Sequence, residues 1–285
     1  MKNPKRKIPA LTAYVFVGAF LWVASSVMSA QAPLDQAWTI LQGGAEDKSS
    51  DQRVAAMRVL QLIPRDAKAV SMGEKGLHDK ESEVRGAAAL SLGAMQSKSA
   101  IPALLEAGKS DREGSVVMAA AKALIQLGDE KGYEVFYAVI TGERKSGDSL
   151  IGEQEKELNA LVRNPKQMET MAFEQGIGYV PFGGIGFQAY QTIHESEEKA
   201  PILKAACLKV LAKDPDPRSI KPLITATSDK HWLVRAAAFD ALARRGDPAL
   251  LPNATSGLTD DKAEVKLTAA AAVIYLSTIS NKTAK

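Results

Sequence analysis

The sequence has one cysteine, three histidines and only 6% aromatic residues among its 285. Each shortage removes a class of protein. A lone Cys207 cannot form an intramolecular disulfide, so the fold must rest on packing. The ordinary place for such a thiol, inside the helical run 202–213, is a small buried apolar site. One cysteine with His78, His194 and His231 does not make the Cys/His spacing of a zinc site. No nucleophile stands with a convincing base. Glu153, Glu155 and Glu157 alternate around Lys156 and read as a solvated helix face. Excess charge is missing too. The net +3 is carried by four basic residues in the first seven, which leaves the body near neutral. Such a body offers no electrostatic case for binding nucleic acid.

Those four residues, Lys2, Lys5, Arg6 and Lys7, precede an apolar run from Ile8 to Val23 and then the small residues Ala24-Ser25-Ser26. Basic, apolar, small is the order of a secretory signal. Cleavage after Ala32 is followed at once by Pro33, whereas cleavage after Ala30 places Met28 where a small residue is preferred. Left uncleaved, the low-charge run 8–28 is long enough to span a bilayer. Residues 1–30 are therefore read as a signal peptide or an N-terminal membrane anchor, and the body as exported, periplasmic or secreted.

What the body has in abundance is alanine, arriving in runs within a repeating frame. Val84-Arg85-Gly86-Ala87-Ala88 returns as Val116-Val117-Met118-Ala119-Ala120, as Val234-Arg235-Ala236-Ala237-Ala238 and as Val265-Lys266-Leu267-Thr268-Ala269. Weaker copies start at Val54 and Ile202. The period is 30 to 32 residues, the length of one helical pair. Asp79, Asp111, Asp229 and Asp260 each lie five residues before the marker. A short polar side chain there is expected to cap the helix that follows. Prolines in Ile101-Pro102, Lys221-Pro222 and Leu251-Pro252 mark the start of a second helix, where a missing N–H costs nothing. One such pair cannot bury its own apolar face, so the pairs must stack.

The pattern Asp-x4-Val-Arg-x-Ala-Ala-x-x-Leu, followed by a proline-started helix, resembles HEAT-like repeats of the phycobilisome-lyase type. The resemblance covers about 49–141 and 197–280. It implies an all-α, armadillo-type solenoid, an α-α superhelix, with Asp79, Arg85, Asp111, Asp229, Arg235 and Asp260 as repeat-structural residues. Proteins of this kind serve as scaffolds, as chaperone-like binders and, in a few cases, as enzymes. One of those enzymes, deoxyhypusine hydroxylase, builds a di-iron site from several His-Glu dipeptides. This chain has one, His194-Glu195, and a di-metal site needs ligands from several helices. Nothing in the sequence points to a tetrapyrrole.

Between the two repeat blocks, 31–141 and 197–280, lies an irregular insert, 142–196. It carries the stretch GIGYVPFGGIG, residues 176–186. Gly184-Ile185-Gly186 begins a match to a dinucleotide fingerprint, but its surroundings lack the βαβ unit that the motif needs. Five glycines and Pro181 make a poor membrane helix. The expected form is a shaped apolar loop that closes the gap between the blocks, with Tyr179, Phe182, Phe187 and Tyr190 as possible partner contacts. Trp38 and Leu41 are expected in an incomplete capping helix, and the chain after Thr278 as a frayed tail. The expected function is a non-catalytic scaffold that binds another protein and uses no cofactor or metal. The alternative is an enzyme or cofactor binder on the same frame.

Overall fold

The computed structural model describes residues 32–140 and 199–283, and among these no strand occurs. The N-terminal block holds α1 (32–45), α2 (Ser50–Val59), α3 (Ala67–Gly76), α4 (Ser82–Ala94), α5 (Ile101–Ser110), α6 (Gly114–Gln126) and α7 (Lys131–Ile140). The C-terminal block holds α8 (Lys199–Leu211), α9 (Ile220–Ala226), α10 (Trp232–Arg245), α11 (Leu251–Thr255) and α12 (Ala263–Thr283). Each repeat pairs a first helix with a second one. Proline stands in the opening positions of α5 and α11, as its missing N–H predicts. The chain is an all-α helical-repeat solenoid.

Alanine sets the spacing of the stack. Val84, Ala88 and Leu92 of α4 are buried, as are Val234, Ala238 and Leu242 of α10 and Val265, Ala269 and Val273 of α12. Small residues at these helical intervals let neighbouring first helices approach closely, while the larger ones fill the space between.

First helices lie side by side in the order α8, α10, α12, α2, α4, α6. The order in space is therefore not the order in the chain. The C-terminal block stands ahead of the N-terminal one, and the two meet through α12, α1 and α2. Glycine contacts identify the role of α1. A Cβ on Gly76 of α3 would run into Met57 of α2 and Ala88 of α4, and one on Gly257 into Phe239 of α10 and Ala269 of α12. Gly44 of α1 is wedged in the same way, between Leu267 of α12 and Ala56 of α2. So α1 fills the second-helix place of the repeat whose first helix is α12. One repeat is completed by the two terminal regions.

The structure corrects several expectations. Leu41 and Ala37 of α1 are fully buried, because α1 is an interior helix of the stack and not an incomplete cap. The helix α12 continues past Thr278 to Thr283, with Leu276 and Ser277 buried and the Thr278 hydroxyl donating to Ile274 O at 2.9 Å. A polar tail does not fray when its helix is held between α10 and α2. The loop expected at 176–186 to close the gap between the blocks lies outside the described residues.

Candidate functional site

The recurring charged residues come together along one edge of the stack. Arg53 of α2 donates from Nε to Asp79 Oδ2 at 2.7 Å and from Nη2 to Asp79 Oδ1 at 2.9 Å. Arg85 of α4 makes the same fork to Asp111, at 2.7 and 2.9 Å. Arg235 of α10 makes it to Asp260, at 2.7 Å for both bonds. In each case the arginine belongs to one repeat and the aspartate to the linker ahead of the next. The remaining nitrogen, Nη1, turns back to its own linker. It donates to Asp47 and Lys48 carbonyls from Arg53, to Asp79 and Lys80 from Arg85, and to Asp229 and Lys230 from Arg235. Two parallel charge-assisted bonds plus two carbonyls satisfy a guanidinium almost completely. That is why Arg53 and Arg85 can each be only 7% exposed.

Each aspartate also accepts the N–H two residues on: Asp79 from Glu81, Asp111 from Glu113, Asp229 from His231 and Asp260 from Lys262. This corrects the expected helix cap. The N-cap residues are Glu81 before α4, Glu113 before α6 and His231 before α10, and only His231 caps with its side chain. The aspartates shape the linker and lock it to the preceding repeat. The electrostatics follow. The hydrogen bond from Arg53 lowers the pKa of Asp79. For Asp111, Asp229 and Asp260, burial opposes ionisation, but the cationic partner and the backbone N–H outweigh it and the pKa is again lowered.

The series also corrects the register of the weak copies. Arg53 aligns with Arg85, so Gln52 and not Val54 is the counterpart of Val84, and Asp47 is the counterpart of Asp79. In the C-terminal block Lys204 donates to Asp229 Oδ2 at 2.8 Å in the place of an arginine. The sequence signal that shows this is Gly-x-x-Asp-x5-Arg-x-x-Ala. It reads Gly44, Asp47, Arg53, Ala56, then Gly76, Asp79, Arg85, Ala88, with Lys266 and Val117 as substitutes elsewhere.

Two other surface features stand out. An open groove of about 340 Å³ runs between the linkers flanking α3–α4 and α5–α6, lined by His78, Lys80, Glu106, Ser110 and Arg112 above the Arg85–Asp111 pair. At the end of the stack, α8 shows Leu203 64% exposed and Val210 72% exposed, with Cys207 between them also exposed. Their counterparts Val234, Ala238 and Ala241 in α10 are at most 1% exposed. The buried site expected for Cys207 is thus corrected: among the described residues, α8 is the outermost first helix of the stack.

No group of three or more His, Cys, Asp or Glu residues among those described is placed to hold a metal. His78 and His231 sit in separate linkers, and His231 Nδ1 accepts the Leu233 N–H at 3.3 Å. His194-Glu195 and the candidate contacts Tyr179, Phe182, Phe187 and Tyr190 lie outside the described residues.

Comparison with known proteins agrees with this geometry. A family model described as HEAT repeats matches residues 39–125, 74–144 and 193–274. No curated protein matches. Among solved structures, human deoxyhypusine hydroxylase in complex with glycerol is 17% identical, over 87% of this chain and 98% of that one, with a TM-score of 0.35. An engineered protein is 17% identical over 86% of this chain and 97% of its own, with a TM-score of 0.26. A second engineered protein is 15% identical over 84% and 98%, with a TM-score of 0.25. At such scores these likenesses decide nothing about activity. The repeat model covers most of the chain, and the chain belongs to the HEAT-repeat family.

Proposed function

We propose that this chain is a non-catalytic scaffold that binds another protein outside the cytoplasm. The observation that carries the reading is the role of its recurring polar residues. Arg53, Arg85, Arg235, Asp79, Asp111, Asp229 and Asp260 are consumed in joining repeats, with their donors and acceptors satisfied by one another and by linker backbone. Residues held in that way build a frame and are not themselves available for acid/base chemistry. A solenoid of this kind presents an extended binding face. The basic, apolar, small order of residues 1–30 supports export or attachment to a membrane. Tyr179, Phe182, Phe187 and Tyr190 supply the contacts of the partner.

The test uses the full-length tagged chain recovered from its native envelope fraction after cross-linking. The expected result is one protein captured in fixed proportion, with capture lost when Tyr179, Phe182 and Phe187 are changed to serine and the thermal midpoint is unchanged. Stoichiometric iron or zinc in the purified chain would overturn the non-catalytic reading. Recovery of the chain from cytosol with Met1 intact would overturn export.

A further inference from the structure

We infer that the step between α12 and α2 is a hinge, about which the C-terminal block (199–283) and the N-terminal block (32–140) turn as two bodies. Neighbouring first helices elsewhere are joined by an ion pair. Forked arginine pairs span three steps, Arg53–Asp79 from α2 to α4, Arg85–Asp111 from α4 to α6 and Arg235–Asp260 from α10 to α12, while the terminal step from α8 to α10 carries the lysine pair Lys204–Asp229. The α12–α2 step has the residues in the right places, Lys266 at the arginine position and Asp47 at the aspartate position, but no ion pair joins them. Asp47 Oδ1 takes the Ser49 amide at 2.8 Å, and the polar contact that crosses the step is Gln52 Nε2 to Glu264 Oε1 at 3.4 Å.

A second observation is independent of charge. Of all the contacts between neighbouring first helices, that between α12 and α2 is the thinnest. What remains there is apolar: Gly44 and Ala56 against Leu267, within a continuous core. Apolar burial is non-directional, so it holds two surfaces together without fixing their rotation. A forked pair does fix rotation, because both of its bonds require one planar alignment. Lysine offers a point charge on a flexible stem and cannot supply that alignment. The stack is therefore register-locked on both sides of one slack joint, and that joint is where the two terminal regions of the fold meet.

The experiment compares two spans of equal length in the full chain, with Cys207→Ala to remove the native thiol. Spin labels at Lys262→Cys and Lys80→Cys bracket the α12–α2 and α2–α4 steps. Labels at Lys48→Cys and Arg112→Cys bracket the α2–α4 and α4–α6 steps. The first pair should give a distance distribution roughly twice as broad as the second. Lys266→Arg, which supplies the missing fork to Asp47, should narrow the first to the width of the second. Equal widths, or a broad distribution that Lys266→Arg leaves unchanged, would overturn the hinge. Hydrogen exchange on the unlabelled chain reads the same claim without cysteine variants. Amides of α1 should exchange about threefold faster than those of α3, its counterpart in the stack, and Lys266→Arg should remove most of that difference. No difference between α1 and α3, or one untouched by Lys266→Arg, contradicts it.

Discussion

The turn from first to second helix is closed in two different ways in the two blocks. After α4 the closing residue is Met95, fully buried. After α10 the counterpart is Arg245, which donates from Nη1 to Asp214 O and Ser219 Oγ, both at 2.7 Å, and from Nη2 to Asp216 O at 3.2 Å. The second helices differ as well. Those of the N-terminal block, α3 and α5, have ten residues each, whereas α9 has seven and α11 five. Arg245 reaches back to the turn between α8 and α9 and supplies donors to its carbonyls. The two blocks share one backbone plan and meet it once with an apolar plug and once with a hydrogen-bonded cation. A repeat of this kind specifies which groups must be satisfied and leaves open what satisfies them.

The largest effect that sharpens this comparison lies on the charged edge. Arg85→Ala removes the fork to Asp111 from a site where both side chains are 8% exposed, and the expected loss is about 3–5 kcal/mol by urea unfolding. Arg85→Lys should recover only part of it, since the planar fork is lost. A loss below about 1 kcal/mol for Arg85→Ala would place this pair with ordinary surface ion pairs.

Next in size are the two closures. Met95→Ala should cost about 3 kcal/mol, by the cavity it leaves. Arg245→Ala should cost about 2 kcal/mol, the scale of hydrogen bonds to a charged group. If Arg245→Ala proved the costlier, the polar closure would be the stronger of the two and the expected ranking would be reversed.

Lys204→Ala is expected to cost at most about 1 kcal/mol, because the lysine side chain is 56% exposed and screened by solvent. Its loss should fall as salt is raised, while that of Arg85→Ala should change little. Equal salt dependence would erase the distinction between an inner forked pair and an outer one.

The smallest effect is the response to mild acid. The aspartates of the edge have lowered pKa values in the folded chain, Asp79 chiefly through Arg53, and the others against an opposing burial effect. Their stabilisation is complete above the ordinary aspartate range and is lost as pH falls through the lowered values. Between pH 7 and 5 the midpoint of unfolding should hold steady, and the decline should begin only below about pH 4. A decline that began near pH 6 would contradict the assignment to these aspartates.

Much of the frame was legible in the sequence. The alanine runs, the period near 31 and the prolines at second-helix starts give the helices and their stacking, because each reflects a local requirement. Asp79, Asp111, Asp229 and Asp260 were legible as recurring residues but not as partners of arginine. The pairing joins residues 25 or 26 apart in adjacent repeats, and only the stacking distance reveals it. Val54 masks Asp47 and Arg53 as repeat residues, since it resembles Val84 more closely than Gln52 does. The exposure of Cys207 and the role of α1 depend on the order of the stack in space. That order comes from contacts between residues more than 200 apart, such as Gln52 and Glu264, and local patterning carries no trace of them.

The stack order itself, with the C-terminal block ahead of the N-terminal one, is tested most directly by joining Gln52 to Glu264. In the full chain with Cys207→Ala, cysteines at Gln52 and Glu264 should be linked within one molecule by a short bis-maleimide, and a control pair at Gln52 and Lys213 should not. Efficient intramolecular cross-linking of the first pair alone, read by mass spectrometry on the monomer, is the predicted result. No cross-link between 52 and 264, or a link formed only between separate molecules, would contradict the account.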